Sequence, residues 1–303
     1  MAHPPHPLVF VVVLNANGWA DTRECLGSLR GLDHPNRAIV VVDNGSTDDS
    51  EALIRRRFPE VTVLQAGANL GFSRGNNLGI RYALAHGSAY VWLLNNDTTV
   101  DSGALSALVN AAETDARIGV VGSILYFADD PKRVQAWGGG TFNRLLGKPS
   151  CSMKPTPANE LDFITGASML VRPGCLADAG LLDENFFLYM EDADLCFRAK
   201  QRCWQIAVAE GSVVYHKVGA TAQSGTGTRP LDIDRAHVRS SGIFLGKHSG
   251  AALLIAVPLH LAGIVLIRMK RRQLRRLPSL VSEFVGGLRL GLRARRSFVA
   301  KAA

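Results

Sequence analysis

Short apolar runs alternate with amphipathic stretches over the first hundred residues of the chain. Residues 8–14 form an unbroken aliphatic and β-branched run, which is typical of a strand buried on both faces in a parallel sheet. Similar runs recur at 38–42, 61–64 and 90–94. Between them, apolar residues recur at helical spacing, and we expect helices that begin near Asp21, near Ser46 or Thr47, and at Gly75. The alternation predicts an α/β fold with a doubly wound, mostly parallel sheet flanked by helices.

The pattern is less regular in the middle of the chain. Three consecutive glycines and the prolines Pro149, Pro155 and Pro157 fall within 128–160, so we expect a mobile surface excursion there rather than a domain boundary. Strand-like runs return at 168–171 and 203–214. The small polar residues of 219–230 predict a flexible loop near a site.

The C-terminal segment differs in charge from the rest. Of the net charge of +8, the first 250 residues contribute almost nothing, with 23 Lys and Arg against 25 Asp and Glu. Residues 251–303 carry eleven Lys and Arg against one Glu. An uncharged stretch, 251–267, precedes a cluster of basic residues, a pattern that predicts a segment on or re-entering an anionic membrane surface. A helical hairpin packed on the domain and a single spanning helix are the alternatives.

These features predict two parts, a catalytic domain over 1–250 and a helical, membrane-associating segment over 251–303. The first part lacks the basic surface typical of nucleic-acid binding, so we expect no nucleic-acid partner. Five scattered cysteines without metal-ligand spacing predict reduced thiols and no zinc site. We expect no signal peptide at the N-terminus and a location at the cytoplasmic face of a membrane.

Acidic side chains follow two apolar stretches at the point where each ends. Asp97 follows 91–94, whereas Glu191 and Asp192 follow 186–188. Ligands of open α/β sheets collect at the carboxyl ends of the strands, so these acids are placed for work on a substrate. One acid suits a divalent metal that bridges two phosphates and the other suits a general base. Together they indicate group transfer from a nucleotide-activated donor.

Three further features have both a functional and a structural interpretation. Asp43 ends the second strand, where it either contacts a nucleotide base or ribose, or forms a turn. The Gly-rich segment 71–79 either presents free N–H groups to an anion beside Arg74 or is a tight loop with a helix cap. His216 follows a strand-like run and is either a metal ligand or structural. A Rossmann dinucleotide site is excluded, because the turn after the first strand lacks GxGxxG.

Five segments, taken together and in this order, resemble the family-2 inverting glycosyltransferases of the GT-A fold, in particular their bacterial rhamnosyltransferase-like branch. The segments are 40–46, 69–79, 93–97, 165–172 and 186–195. The resemblance covers roughly residues 8–248 and implies a GT-A-like sheet.

The resemblance also implies roles for individual residues. Asp192 corresponds to the general base and Glu191 to its catalytic neighbour. Asp97 corresponds to the last acid of the metal-binding DxD motif, in which Asn95 here replaces the first acid, and His216 corresponds to a position that completes the metal site. The implied contacts to the nucleotide sugar, among which Asp43 faces the base, are Asn15, Asn17, Asp43, Gly71, Arg74, Asn76, Asn77, Asn96 and Gly166.

The implied activity is the inverting transfer of a sugar, rhamnose being the candidate, from a nucleotide-diphosphate sugar. The acceptor is the hydroxyl of a glycan, which the basic C-terminal segment suggests is linked to a polyprenyl lipid, and the cofactor is Mg²⁺ or Mn²⁺. This activity belongs to cell-surface polysaccharide synthesis. Two alternatives are a nucleotidyltransferase and a non-catalytic, membrane-tethered subunit that binds sugar nucleotides.

Overall fold

The apolar runs of the first hundred residues form the parallel half of the central sheet. A computed structural model describes residues 6–217 and 230–302, with side chains described up to residue 295. The first elements in chain order are β1 (Val9–Asn15), α1 (Trp19–Arg30), β2 (Arg37–Asp43), α2 (Ser50–Arg57), β3 (Thr62–Gln65), α3 (Gly71–Ala85) and β4 (Tyr90–Asn95). The four strands lie in the order β3-β2-β1-β4, and each neighbouring pair is parallel.

Two apolar cores explain why β1 is apolar at every position before its last residue. Val9, Val11 and Val13 pack on the face covered by α1 and α2, whereas Phe10 and Val12 pack on the opposite face with α3. Side chains alternate between the two faces of a strand, so a strand covered on both sides has no polar position within its span. The predicted α/β fold is confirmed. All three predicted helix starts differ. α1 begins at Trp19, so Asp21 lies within its first turn instead of capping it. α2 begins at Ser50 and α3 at Gly71.

The far half of the sheet is mixed. The elements that build it are β5 (Thr98–Val100), α4 (Ala104–Glu113), β6 (Ile118–Phe127), β7 (Asp130–Trp137), β8 (Gly139–Asn143), β9 (Lys148–Cys151), β10 (Phe163–Ile164), β11 (Ser168–Val171), α5 (Pro173–Ala179), α6 (Glu191–Gln201) and β12 (Gln205–His216). The order across the sheet continues β4-β11-β6-β12-β5, and β7 also pairs with β6. Only β6 and β12 are parallel among these pairs.

Residues 128–160, which we expected to be a mobile excursion, contain the strands β7, β8 and β9. A second sheet of order β10-β8-β9 forms here. Gly139 is required for close approach, because a Cβ at this position would lie 1.7 Å from the carbonyl oxygen of Phe163. The glycines that suggested flexibility therefore allow backbones to pack closely. The flexible loop predicted over 219–230 lies, except for its last residue, outside the described residues.

Three helices form the C-terminal region, α7 (Leu231–His248), α8 (Leu253–Lys270) and α9 (Leu277–Ala302). Glycines bring α7 and α9 into backbone contact. A Cβ at Gly287 would lie 2.1 Å from the carbonyl oxygen of Arg239, and one at Gly291 would lie 2.1 Å from that of Ile243. Within the described residues, one helical segment, Gly250–Lys270, is long and apolar enough to cross a membrane by length and composition alone.

The contact between α7 and α9 gives a first prediction. In Gly287→Ala the new methyl group meets backbone that has no room for it, so we expect a loss of about 1–3 kcal/mol in the free energy of unfolding. Gly263 is the matched control, because it lies in α8 and a Cβ added there would have nothing within 4 Å. Gly263→Ala should gain about 0.5–1 kcal/mol of helix stability. Thermal unfolding midpoints of both variants test this, and an unchanged midpoint for Gly287→Ala would contradict it.

Candidate active site

Asp43 lies at the centre of a buried hydrogen-bond network at the ends of β1 and β2. Asn15 Nδ2 donates to Asp43 Oδ1 at 2.8 Å, and the Ser46 hydroxyl donates to the same oxygen at 2.6 Å. The other oxygen accepts from the Ser46 backbone N–H and from Gln65 Nε2, each at 3.0 Å. Burial opposes the charged form, but the hydrogen bonds from Ser46, Asn15 and Gln65 outweigh it and lower the pKa of Asp43.

The same network fixes the two asparagines of the first turn. Asn15 Oδ1 accepts from the Thr22 hydroxyl at 2.8 Å, which ties β1 to α1. Asn17, at a positive φ of 53°, accepts from the backbone N–H of Thr47 at 2.7 Å. Asp43 is saturated by protein donors in this structure, so its contact with a nucleotide base, and those of Asn15 and Asn17 with the donor, stay predictions.

The turn between β4 and β5 separates the three residues that resemble a DxD motif. Asn96 Nδ2 turns toward α1 and donates to the Thr22 hydroxyl at 3.0 Å. Asp97 Oδ1 lies 3.1 Å from His216 Nε2, and Asn95 Nδ2 lies 3.5 Å from the same nitrogen. The antiparallel pairing of His216 with Thr98 brings these distant positions together. The structure therefore joins the two predicted metal ligands in one place.

Asp97 and His216 have the chemistry of a partial metal site. Burial opposes the charge of Asp97, but hydrogen bonding and the charge interaction with His216 outweigh it, and the pKa of Asp97 is lowered. Gln135 Oε1 lies 2.7 Å from His216 Nδ1 and fixes the ring orientation. The described residues contain no cluster of three His, Cys, Asp or Glu side chains suited to a metal ion. Two protein ligands fit Mg²⁺ or Mn²⁺ that is also bound by substrate phosphates and water.

Asp192 lies in the first turn of α6 and is partly exposed. Its Oδ2 accepts from the Gly166 backbone N–H at 2.9 Å, and its Oδ1 accepts from the Ala193 N–H at 2.7 Å. Burial raises the pKa of Asp192, and these backbone hydrogen bonds limit the rise. The carboxylate is thus held in one orientation while its basicity is increased, as a general base requires.

A single turn, 165–167, connects Asp192 to the end of β4. Gly166 donates its N–H to Asp192, and the carbonyl oxygen of Ala167 accepts from the Asn95 N–H at 3.0 Å. A Cβ at Gly166 would lie 3.3 Å from the Cβ of Asp192, so the turn approaches the carboxylate closely. The turn therefore supports both the predicted base and Asn95, which lies two residues before the predicted metal ligand Asp97.

The other two acids of α6 have opposite environments. Glu191 is buried and its Oε2 has no hydrogen-bond partner within the described part of the chain, so burial, together with the nearby charge of Asp192, raises its pKa well above the usual value. Asp194 is also buried, but Arg198, Lys247 and His248 surround it at 2.7, 2.5 and 2.7 Å. Although burial opposes its charge, the charges of Arg198 and Lys247 and the hydrogen bond from His248 strongly lower the pKa of Asp194.

The backbone just before α6 is strained. Tyr189 and Met190 both have a φ of 71°, which costs about 1–3 kcal/mol for each non-glycine residue. Two anchors hold this segment. The Ser240 hydroxyl donates to the Leu188 carbonyl oxygen at 2.8 Å, and the Phe72 N–H donates to the Phe187 carbonyl oxygen at 2.6 Å. Sequence periodicity carried no signal for this strain.

The Gly-rich segment lies inside α3 rather than before it, because the helix begins at Gly71. Gly71 has a positive φ of 80°, and its N–H donates to Asn69 Oδ1 at 3.0 Å. With Phe72 also engaged, these first N–H groups face protein acceptors and not an open anion site. Arg74 lies 3.5 Å from Glu184 and is largely exposed.

Asn76 and Asn77 are buried and bond to main chain. Asn76 Nδ2 donates to the Phe72 carbonyl oxygen at 3.0 Å, and the Asn77 amide exchanges hydrogen bonds with the Leu182 backbone at 2.9 and 3.2 Å. Asn77 thus joins α3 to the segment that leads to α6, whereas the Asn76 hydrogen bond lies within α3. Donor contacts of these two residues, and of Gly71, Arg74, Asn96 and Gly166, stay predictions.

Comparison with known proteins identifies the class to which this fold and site belong. Residues 8–153 match the family "Glycosyl transferase family 2", and residues 90–229 match "Glycosyl transferase family group 2". An N-acetylglucosaminyl-diphospho-decaprenol L-rhamnosyltransferase of Mycobacterium tuberculosis is 29% identical over 239 residues, which cover 70% of this chain and 76% of that protein. The low-salt glycan biosynthesis hexosyltransferase Agl10 of Haloferax volcanii is 25% identical, covering 63% and 61%.

Solved structures share the fold at lower sequence identity. GalNAc-T7 with UDP, GalNAc and Mn²⁺ superposes with a TM-score of 0.61 at 14% identity, over 79% of this chain and 48% of the longer GalNAc-T7 chain. Staphylococcus aureus TarS 1–349 in complex with UDP-GlcNAc gives 0.58 at 15% identity, over 93% and 81%. The chain belongs to the family-2 glycosyltransferases. Its GT-A-like fold and its activity as a glycosyltransferase agree with the expectations from the sequence.

The Asp43 network gives a second prediction. Asp43→Asn removes the charge that four donors share, so we expect a loss of about 2–4 kcal/mol in the free energy of unfolding at neutral pH. Because the folded-state pKa is lowered, this stabilisation is complete above about pH 4 and disappears as the pH falls through the folded-state pKa. The difference in the free energy of unfolding between wild type and Asp43→Asn should therefore become smaller as the pH falls. Denaturant unfolding at several pH values measures this difference.

Glu60→Gln is the matched control for Asp43→Asn, because Glu60 makes a surface ion pair with Arg30 at 2.7 Å. It should change the free energy of unfolding by less than about 1 kcal/mol. An equal effect of the two substitutions would show that the buried network has no special role in stability.

Proposed function

We propose that this chain is a metal-assisted, inverting glycosyltransferase that moves a sugar from a nucleotide-diphosphate sugar to a hydroxyl of a lipid-linked glycan. The observation that carries the proposal is the turn 165–167, which supports the Asp192 carboxylate and the end of β4 next to Asp97. A base and a site for the donor diphosphate are thereby held by one element, as in-line displacement requires.

Asp192 is the proposed general base. It accepts the proton of the acceptor hydroxyl while that oxygen bonds to the anomeric carbon. The bond from the anomeric carbon to the diphosphate breaks in the same step, and a nucleoside diphosphate leaves with the bonding electrons. A single displacement inverts the anomeric configuration. The hydrogen bonds from Gly166 and Ala193 aim the carboxylate, and its raised pKa strengthens it as a base.

Asp97 and His216 are the proposed protein ligands of Mg²⁺ or Mn²⁺. When bound, such an ion offsets the negative charge that develops on the leaving diphosphate. Gln135 orients the imidazole from the other side. Asn95 faces the same imidazole nitrogen as Asp97, so the position that carries an acid in the DxD motif supplies a neutral amide here.

The donor and acceptor classes are inferred from the relatives. The Mycobacterium tuberculosis relative is named for L-rhamnose transfer to N-acetylglucosaminyl-diphospho-decaprenol, which supports a rhamnosyl donor and a polyprenyl-diphosphate glycan acceptor for this chain. The apolar helix α8 and the basic residues after it support a position at the cytoplasmic face of a membrane, where such acceptors are anchored.

Nucleoside-diphosphate release tests the reaction and the base. We expect release from one member of a panel of dTDP-, UDP- and GDP-sugars when membranes with lipid-linked acceptors and Mg²⁺ or Mn²⁺ are present. Asp192→Asn should lower turnover about 10²–10⁴-fold while donor affinity stays within about threefold of wild type. Asp115→Asn is the control, because Asp115 pairs with Arg117 just before the amino end of β6. Normal turnover in Asp192→Asn would exclude it as the base.

Mn²⁺ binding tests the metal site independently of turnover. In the presence of nucleoside diphosphate, Asp97→Asn and His216→Ala should each weaken Mn²⁺ binding at least about tenfold, as followed by electron paramagnetic resonance. Asp101→Asn, at the other end of β5, should bind Mn²⁺ as the wild type does. Equal Mn²⁺ affinity in all variants would place the metal elsewhere or exclude it.

A further inference from the structure

The outer face of α8 is apolar where a surface helix is normally polar. Leu254, the most exposed of its large side chains, has 85% of its surface accessible. The other large apolar side chains exposed on α8 are Ile255, Leu259, Val265, Leu266, Ile267 and Met269. A helix with apolar residues on its exposed face needs a covering apolar medium or partner.

The inner face of α8 is fixed to the protein at two points. His260 stacks on Phe284 of α9 with ring centroids 5.0 Å apart. At the end of the helix, Arg268 is buried and lies 3.1 Å from Asp234 of α7. Arg276 reaches the same carboxylate at 2.8 Å. Crossing a bilayer would break this buried ion cluster, so the observed packing leaves only the outer face of α8 for contact with lipid.

The β8–β9 turn extends the apolar surface of α8. Leu145 and Leu146 are 49% and 51% exposed, and their N–H groups both donate to Asn143 Oδ1, which shapes the turn. A Cβ added at Gly147, the residue after Leu146, would lie 3.2 Å from His260 Nδ1, so this turn lies beside the middle of α8. A turn from the catalytic domain and a helix from the C-terminal region thus meet at one surface.

Basic residues lie at the end of this surface. Lys270, Arg271, Arg272 and Arg275 are exposed and follow the apolar face directly. Their positive charge is complementary to anionic lipid headgroups, whereas it would oppose a second copy of the same basic surface.

We propose that the outer face of α8 and the turn residues Leu145 and Leu146 form one docking surface for an anionic lipid bilayer, with α8 lying in the plane of the membrane. The inference deepens the proposed function, because it gives the enzyme a defined orientation toward a lipid-linked acceptor. This docking surface differs from a spanning anchor, because the turn of the catalytic domain and the helix α8 both contact the headgroup layer on the same side of the membrane.

Vesicle co-sedimentation of the full chain tests this surface without any sugar transfer. Vesicles of phosphatidylglycerol with phosphatidylethanolamine should bind the wild type, more weakly as salt rises, and phosphatidylcholine vesicles should bind it less. Leu254→Ser with Leu266→Ser, and separately Leu145→Ser with Leu146→Ser, should each weaken binding at least about tenfold. Met153→Ser is the control, since Met153 is 67% exposed but follows the opposite end of β9. Its binding should be unchanged.

Three results would overturn the proposal. Unchanged binding of the Leu145/Leu146 variant would remove the turn from the surface, and resistance of the bound protein to alkaline carbonate extraction would indicate a spanning helix. Absence of vesicle binding, with a wild-type dimer that becomes monomeric in the Leu254/Leu266 variant, would assign the face to a second copy. Circular dichroism and unchanged donor affinity verify that each variant is folded. Vesicle binding without turnover would refute the proposed function and leave the docking surface intact.

Discussion

Three basic side chains converge on the buried carboxylate of Asp194, and the position of α6 depends on that cluster. Arg198 comes from the same helix, whereas Lys247 and His248 come from α7. Removing one partner from such a buried cluster costs about 3–5 kcal/mol, because it leaves charge without compensation. The cluster therefore fixes α6, and with it the proposed base Asp192, to the C-terminal helices. The strained residues Tyr189 and Met190 are tolerated because both sides of them are held. The hydrogen bond from Ser240 holds Leu188 before them, and the Asp194 cluster holds α6 after them.

Three acids within four positions of α6 differ in chemistry because their partners differ. Asp194 lies among basic side chains and remains charged. Glu191 is buried, its Oε2 has no hydrogen-bond partner among the described residues, and the neutral form is favoured. Asp192 accepts two backbone hydrogen bonds and is partly exposed to solvent. Like charges at this spacing would otherwise repel one another. Placing one acid on a cation cluster and keeping another neutral leaves Asp192 as the carboxylate available for proton transfer at neutral pH.

Local pattern was sufficient to predict the parallel half of the sheet, because β1 and β4 are buried on both faces and each of its four strands contains a short apolar run. The junction of Asp97 with His216 was predicted from the resemblance, yet Gln135, which orients the imidazole, has no local signal. Glycines misled the interpretation of 128–160, since Gly139 serves close packing and not mobility. The partners of Asp194 and the strain before α6 arise from contacts between distant segments, and periodicity within one segment carries no information about them.

The C-terminal helices link the outer face of α8 to the chemistry of α6. One side of α7 anchors Leu188 and Asp194 near the proposed base, and the same helix packs against α9 through glycines and holds Arg268 of α8 through Asp234. Glycine contacts between backbones leave little freedom for sliding, and a buried ion cluster resists separation. Because α7 is fixed in this way to α8 and α9 and also to Asp194, the orientation of α8 relative to α6 is fixed. A bilayer bound to the outer face of α8 would thus stand in a fixed relation to Asp192, which is the geometric condition for a catalytic site outside the bilayer to reach a hydroxyl on a membrane-anchored glycan.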